Sequence, residues 1–184
     1  MPHIALAGRM GAGKSTLASF LETQHGYRRL SLAAPIKDQT KKAVEILRSS
    51  FLVDPDSTIN ERELNQELAR VLKEHLPSVL TGILLEKARG LLPRQWAVVD
   101  DVRTNDELRV FREKGFVTVL ITCQEAERIL RVATRNKEDL SAMQHPIENE
   151  TFDLTLIDHV FENTSGADYA GFLNGILGMG EGTA

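Results

Sequence analysis

The sequence predicts an α/β fold: a five-stranded, mostly parallel sheet with helices on both faces. Three observations carry this. Five apolar, strand-like runs alternate along the chain with segments of helical periodicity, the order that builds a parallel sheet. The first run, Ile4-Ala5-Leu6-Ala7, leads directly into Gly8-Arg9-Met10-Gly11-Ala12-Gly13-Lys14-Ser15, and a helical pattern of Leu17, Ala18, Phe20 and Leu21 follows. That octet is G-x-x-x-x-G-K-S, a phosphate loop, and its place between strand and helix is the P-loop NTPase three-layer arrangement. Finally, 184 residues with 42% apolar content suffice for one domain, 1–184, with a sizeable core.

The elements are read in order. Strand one covers about residues 3–7, and the helix after the loop runs to about Thr23. Tyr27 to Leu32 is a short second strand. Pro35 opens a helix to about Leu47, since proline is tolerated in a first helical turn. Asp54-Pro55-Asp56-Ser57 is turn chemistry within a loop. Asn60 and Glu63 form an N-cap pair for a helix carrying Leu64, Leu68, Val71, Leu72 and His75 on one face, and Pro77 stops it. Val79 to Ala88 is helical and ends near Gly90. Trp96 to Val99 is a third strand running into Asp100-Asp101. Thr104 with Glu107 makes a capping box for a helix to about Lys114. Phe116 to Ile121 is the fourth strand, and Thr122 with Glu125 reads as a second capping box for a helix to about Arg135. Residues 136–150 are polar and loop-like. Leu154 to Phe161 is the last strand, Ala167 to Leu177 the closing helix, and the tail is expected to fray.

Composition excludes several classes. A net charge of −4 gives no basic footprint for a nucleic acid polymer. No apolar run has the length of a membrane span, and no charged segment followed by a long apolar stretch predicts a signal peptide. The single cysteine, Cys123, excludes an intramolecular disulfide and a cysteine zinc cluster, and after an apolar strand it reads as a buried, inert thiol. A reducing cytoplasm, where ATP is available, is the expected setting.

The phosphate loop states its own chemistry. Residues Gly8 to Ser15, with Thr16 behind them, would wrap nucleotide phosphates in backbone N–H groups at a helix N-terminus. Lys14 would reach the β/γ-phosphates, and the Ser15 hydroxyl would hold Mg²⁺. Asp100-Asp101-Val102-Arg103 lies at the C-terminal end of a buried strand, the edge where open α/β sheets bind ligands. An acid there would hold the Mg²⁺ shell or accept a hydroxyl proton. Strand alternation allows only one of the two acids to face the phosphates. Arg128, Arg131 and Arg135 recur at i, i+3 and i+7, and arginine forks stabilise the charge that phosphoryl transfer spreads over equatorial oxygens. We expect Arg128 and Arg131 to contact the transferring group only when the polar 136–150 segment closes, with Arg135, near the helix end, mattering less. Residues 124–150 would then form a lid. His145 and His159 lack metal-ligand spacing and read as structural or solvent-facing.

Four stretches together carry a resemblance: Gly8–Thr16; Ser31-Leu32-Ala33-Ala34-Pro35-Ile36-Lys37-Asp38; Asp101-x-Arg103 with Glu107; and Asp158-x-x-Phe161-Glu162-Asn163. In this order they resemble the phage-type deoxynucleoside monophosphate kinases. Animal phosphomevalonate kinases share much of the same outline. The resemblance spans most of the chain and implies ATP with Mg²⁺ as cofactors. It implies catalytic roles for Lys14, Asp101, Arg103, Arg128 and Arg131, with Ser15 and Asp101 toward the metal. Lys37, Asp38 and Arg103 fall toward the acceptor, and Asn163, with Thr164 and Ser165, near the adenine. The helical segment 60–94 stands where that family carries an arginine-rich acceptor motif. It contains Arg62, Arg70, Arg89 and Arg94 but not the motif, which leaves the acceptor class open.

The expected activity is transfer of the ATP γ-phosphoryl group to a small phosphorylated acceptor, foremost a (deoxy)nucleoside monophosphate. A phosphomevalonate- or dephospho-coenzyme A-type kinase is the alternative within enzymes. A slowly hydrolysing nucleotide switch is the alternative outside them, disfavoured by the arginine triple. A homodimer is left open.

Overall fold

In the computed structural model, residues 1–50, 59–76, 78–135, 143 and 151–178 are described. The chain divides into two compact units, one of Met1–Leu30 with Leu91–Ala184 and one of Ser31–Gly90.

The first unit holds the sheet. Its strands are β1 (Ile4–Ala7), β2 (Arg28–Leu30), β3 (Ala97–Val102), β4 (Val117–Thr122) and β5 (His159–Glu162), in spatial order β2-β3-β1-β4-β5. Every pairing is parallel. Helices α1 (Lys14–His25), α5 (Asn105–Glu113), α6 (Glu125–Arg135) and α7 (Tyr169–Leu177) belong to this unit. Strand alternation sorts the two faces. Ile4, Leu6, Val98, Val119, Ile121 and Phe161 pack with Leu17 and Leu21 of α1 and Leu173 of α7. Ala5, Ala7, Val99 and Leu120 point the other way, the side on which α5 packs with Leu108 and Phe111 fully buried.

Topology places the ligand edge. The chain leaves central β1, builds β2 and β3 on one side of it, then crosses to β4 and β5 on the other. The C-terminal end of β1 is therefore the switch point of the sheet, where a crevice opens. The phosphate loop leaves from this point.

Local chemistry explains most boundaries. The Thr104 hydroxyl accepts from the Glu107 amide, and the Glu107 carboxylate accepts from the Thr104 amide, completing the expected capping box. Thr122 makes no cap. It is the last residue of β4, paired with Glu162, and its carbonyl accepts the Asn163 amide, so sheet pairing has claimed it and α6 begins at Glu125. The last strand is shorter than the apolar run suggests. Leu154–Leu156 form a 3₁₀ turn held by Asp153, whose carboxylate accepts the Thr155 amide at 2.9 Å, and β5 starts only at His159. The polar side chain next to the run has beaten its apolar pattern.

The second unit contains α2 (Ala34–Ser49), α3 (Glu61–His75) and α4 (Val79–Arg89). Pro35 sits in the first turn of α2, and Asn60 caps α3 by accepting the Glu63 amide. Most of the helical segment expected over 60–94 thus falls in a unit that also takes in α2, because α2 packs on α3, while 91–94 belong to the first unit. Lys37 and Asp38 are exposed on α2.

At the rim of the sheet, His3 Nδ1 accepts the Ala97 amide at 2.8 Å, and its ring stacks on Phe116. An acceptor nitrogen must stay unprotonated, and burial holds His3 below its ordinary value of 6.5. The folded chain therefore binds fewer protons than the unfolded chain at His3. Its contribution is complete above about pH 6.5 and is lost as pH falls through the lowered folded value. We expect His3→Phe to cost about 1–2 kcal/mol at pH 7.5, by orphaning a buried N–H. The gap should narrow toward pH 5 in urea melts of both proteins; a gap independent of pH would mean that His3 is not the titrating acceptor.

A candidate phosphate-transfer site

The loop from Gly8 to Ser15 is shaped by what crowds it. Gly13 has φ 106°, and a Cβ there would stand 1.9 Å from Asn163 Nδ2. Gly11 has φ 82°, and its Cβ would stand 2.8 Å from both the Arg128 carbonyl and a Val132 methyl. Only glycine accepts both the backbone angle and the close approach. The first turn of α6 and the end of β5 therefore press the loop into place.

Lys14 curls back across this loop. Its ammonium donates to the Gly8 carbonyl at 2.5 Å and the Arg9 carbonyl at 3.0 Å, and the residue is buried. Ser15 lies in the first turn of α1 and its hydroxyl donates to Asp100 Oδ2 at 2.9 Å. The acid that meets Ser15 is thus Asp100, where the expectation named Asp101. Asp100 is buried on β3, while Asp101, one position on, is half-buried. Arg29 on β2, unremarked in the sequence, also donates to Asp100 Oδ2.

A cavity of about 330 Å³ opens in front of these groups. Lys14, Ser15, Thr16, Asp100, Asp101, Arg103, Arg131 and Arg135 all line it, so most of the expected site residues do converge. A second cavity of about 430 Å³ shares Gly13, Thr16 and Arg131 with the first and continues to Asn163, Thr164, Gly166, Ala167 and Tyr169. The two form one groove past the loop. Asn163 faces the protein more than the groove. Its Nδ2 donates to the Ala12 carbonyl and its Oδ1 accepts the Tyr169 hydroxyl, each at 2.7 Å. Burial raises the Tyr169 pKa, which keeps the phenol a donor.

The α6 arginines do different work. Arg128 is buried; its guanidinium makes two bonds to Glu125, at 2.9 and 2.5 Å, and donates to the Met10 carbonyl at 3.1 Å. Glu125 is held below the usual carboxylate range by that fork. Arg128 does not line the 330 Å³ cavity: the loop rests on its turn of α6, and the side chain is engaged by the loop backbone, while the closure on which its contact with the transferring group was expected to depend involves residues outside the described ones. Arg131 and Arg135, one and two turns further on, do line that cavity. Arg135, which was expected to matter less, thus lines the same cavity as Arg131. Arg131 Nη2 donates to Glu127 and to the Asn163 carbonyl, while its buried Nη1 has no acceptor among the described residues.

That orphaned donor is what an anionic ligand would satisfy. The groove's donor set fits a nucleoside triphosphate, and Ser15 with Asp100 fits a hard cation that takes oxygen ligands. Among the described residues no cluster of three or more His, Cys, Asp or Glu forms a separate metal site.

Lys37 and Asp38 belong to the Ser31–Gly90 unit. Residues 136–142 and 144–150 of the expected lid, with His145, lie outside the described residues, as do 179–184 of the tail. His159 is exposed. Cys123 is only half-buried, with its thiol 3.9 Å from the Gly11 carbonyl and its pKa raised by burial.

Sequence comparison fits this geometry. The sequence model of the AAA domain matches residues 4–152. The chain belongs to that AAA-domain family. No curated protein matches this member of the family significantly. Among the solved structures that share its fold are the following three. TT1252 from Thermus thermophilus is 23% identical, covering 98% of this chain and 99% of that one, with a TM-score of 0.63. A shikimate kinase from Acinetobacter baumannii, solved in complex with shikimate, is 18% identical over 98% and 95%, with a TM-score of 0.52. An uncharacterized protein from Eubacterium ventriosum is 12% identical over 97% and 98%, with a TM-score of 0.50. The P-loop NTPase fold of this AAA-domain protein is thereby shown. No helix among its described residues is long and apolar enough to cross a membrane.

The split between the arginines is measurable. Arg128→Ala should lower stability by about 2 kcal/mol, roughly 4–8 °C in Tm for a chain of this size, because it removes charged hydrogen bonds from a buried group. Arg131→Ala should change Tm less and turnover more. Thermal melts beside steady-state kinetics decide this; the reverse pattern would return Arg128 to the chemistry.

Proposed function

We propose that this protein is an ATP-dependent small-molecule kinase that moves the γ-phosphoryl group to an acceptor already carrying a phosphate, foremost a (deoxy)nucleoside monophosphate. The observation that carries this reading is the convergence of Arg103, Arg131 and Arg135 with Lys14 on one cavity. That is more cationic charge than a P-loop alone provides, and it suits two phosphate groups meeting there. A kinase solved with a small hydroxy acid, the shikimate kinase above, supports a small acceptor on this fold.

In this reading the loop amides and Lys14 hold the β- and γ-phosphates, while Arg131 extends its unpaired Nη1 to a phosphate oxygen. Ser15 and Asp100 would hold Mg²⁺, which would supply charge neutralisation to the phosphates. Arg103 and Arg135 hold the acceptor phosphate in line. Its own oxyanion attacks the γ-phosphorus, the bond from that phosphorus to the bridging oxygen breaks, and ADP leaves. Positioning and charge neutralisation then provide the catalysis. An acceptor that is its own nucleophile needs no general base. Asp101 is left to orient the acceptor, or to take the proton should the acceptor be a hydroxyl, as in a dephospho-coenzyme A-type reaction.

A thermal-shift panel tests the acceptor. With Mg²⁺ and a non-hydrolysable ATP analogue present, a true acceptor at a hundred times its Kd should stabilise the protein by about 2.7 kcal/mol. Nucleoside monophosphates are expected to do so, ahead of phosphomevalonate and dephospho-coenzyme A. A shift with the ATP analogue and with none of the acceptors would favour the nucleotide-switch reading.

A further inference from the structure

Asp100 accepts two donors on a single oxygen. Ser15 Oγ reaches Oδ2 at 2.9 Å, and the Arg29 guanidinium donates to the same atom. The two partners differ in freedom: Asp100 is 6% exposed and the Arg29 side chain 34%. Arg29 belongs to β2, a three-residue strand at the edge of the sheet. The pair is not needed to dock that strand, because β2 is already registered on β3 through Arg28–Ala97, Arg29–Val98 and Leu30–Val99.

We propose that Arg29 is a positioning residue acting as a tethered counter-cation on the metal-holding acid, so that it sets how tightly the site takes a divalent cation. The inference rests on the phosphotransferase reading above. A buried carboxylate without a partner is costly, and before any metal arrives Arg29 supplies that partner. A divalent cation held between Ser15 and Asp100 would share its acid with a guanidinium. Two like charges on one oxygen oppose each other, so metal binding has to weaken or release the Arg29 contact. Arg29, one-third exposed, has room to withdraw; Asp100 does not. The device keeps the acid in place in the empty enzyme and makes metal binding weaker than the Ser15–Asp100 pair alone would allow.

The test is a Mn²⁺ titration followed by electron paramagnetic resonance, with a non-hydrolysable ATP analogue present. Arg29→Gln, which keeps a donor but removes the charge, should bind Mn²⁺ about tenfold more tightly than wild type. Arg29→Lys, which keeps the charge, should stay within about twofold. Unchanged or weaker Mn²⁺ binding in a folded Arg29→Gln protein overturns the inference and leaves Arg29 a strand tether. In wild type, the Arg29 Nε–H resonance should move when Mg²⁺ is added to the analogue complex, and a resonance that stays put overturns it equally, whatever the variant's folding. A wild-type protein that binds neither analogue nor Mn²⁺ removes the phosphotransferase reading itself.

Discussion

Lys14→Met is expected to lower phosphoryl-transfer turnover about thousandfold, close to 4 kcal/mol of barrier, the scale seen when a charge-stabilising donor is removed from a reacting centre. The lysine sits at the start of α1, and its ammonium lies over the carbonyls of Gly8 and Arg9, inside the loop that would receive the phosphates. Its loss also removes two hydrogen bonds from a buried group, so the substitution should cost about 1 kcal/mol of stability, a fall of about 2–4 °C in Tm. Both effects are measured on one preparation, by melting and by turnover at saturating ATP. Near-wild-type turnover would exclude Lys14 from the chemistry. A collapse of the fold would mean that the loop depends on its lysine more than the two carbonyl contacts suggest.

Asp100→Asn should cost about hundredfold or more in turnover and several-fold more than Asp101→Asn. The asparagine keeps the shape and can still accept from Ser15, but it carries no charge for a metal and leaves Arg29 without its partner. Raising the Mg²⁺ concentration should recover part of the activity of Asp100→Asn and little of any loss in Asp101→Asn. Should Asp101→Asn show the larger loss, the half-buried acid is the metal ligand and the Ser15 contact is structural only.

The choice between these two acids marks the limit of what the sequence displayed. Alternation on a regular strand sends neighbours to opposite sides, but β3 is irregular here, with Ala5 pairing with Val99 and Ala7 with Val102, and both Asp100 and Asp101 line the cavity, Asp100 accepting from Ser15. Which acid meets Ser15 is decided by the register of β3 beside β1 and by where α1 presents Ser15, both tertiary facts. The phosphate loop itself was readable because glycine at fixed spacing next to Lys-Ser is a local requirement of the backbone. Thr104 and Glu107 were readable for the same reason, as a reciprocal cap within four residues. Thr122 and Glu125 carry the same spacing and mislead, because pairing with Glu162 outranks a cap.

The arginines of α6 teach a similar lesson. Their spacing was visible as one stripe, but a stripe has length as well as direction. Arg131 lies about 4.5 Å along the axis from Arg128, and Arg135 about 10 Å. The loop packs on the turn of Arg128, seen in the 2.8 Å approach of a Gly11 Cβ to the Arg128 carbonyl, so that arginine is spent on Met10 and Glu125. Arg29 gave no signal at all: one of two adjacent arginines on a short edge strand acquires meaning only from the carboxylate that folding brings to it.

The most direct test of a kinase acting on a phosphorylated small molecule follows the γ-phosphoryl group itself. ATP labelled at the γ-phosphorus is incubated with the protein, Mg²⁺ and each nucleoside monophosphate in turn, and the labelled products are separated. Label appearing in a nucleoside diphosphate, mole for mole with ADP formed and dependent on Lys14, is the predicted result. Label released only as inorganic phosphate, at a rate indifferent to every acceptor offered, would contradict it.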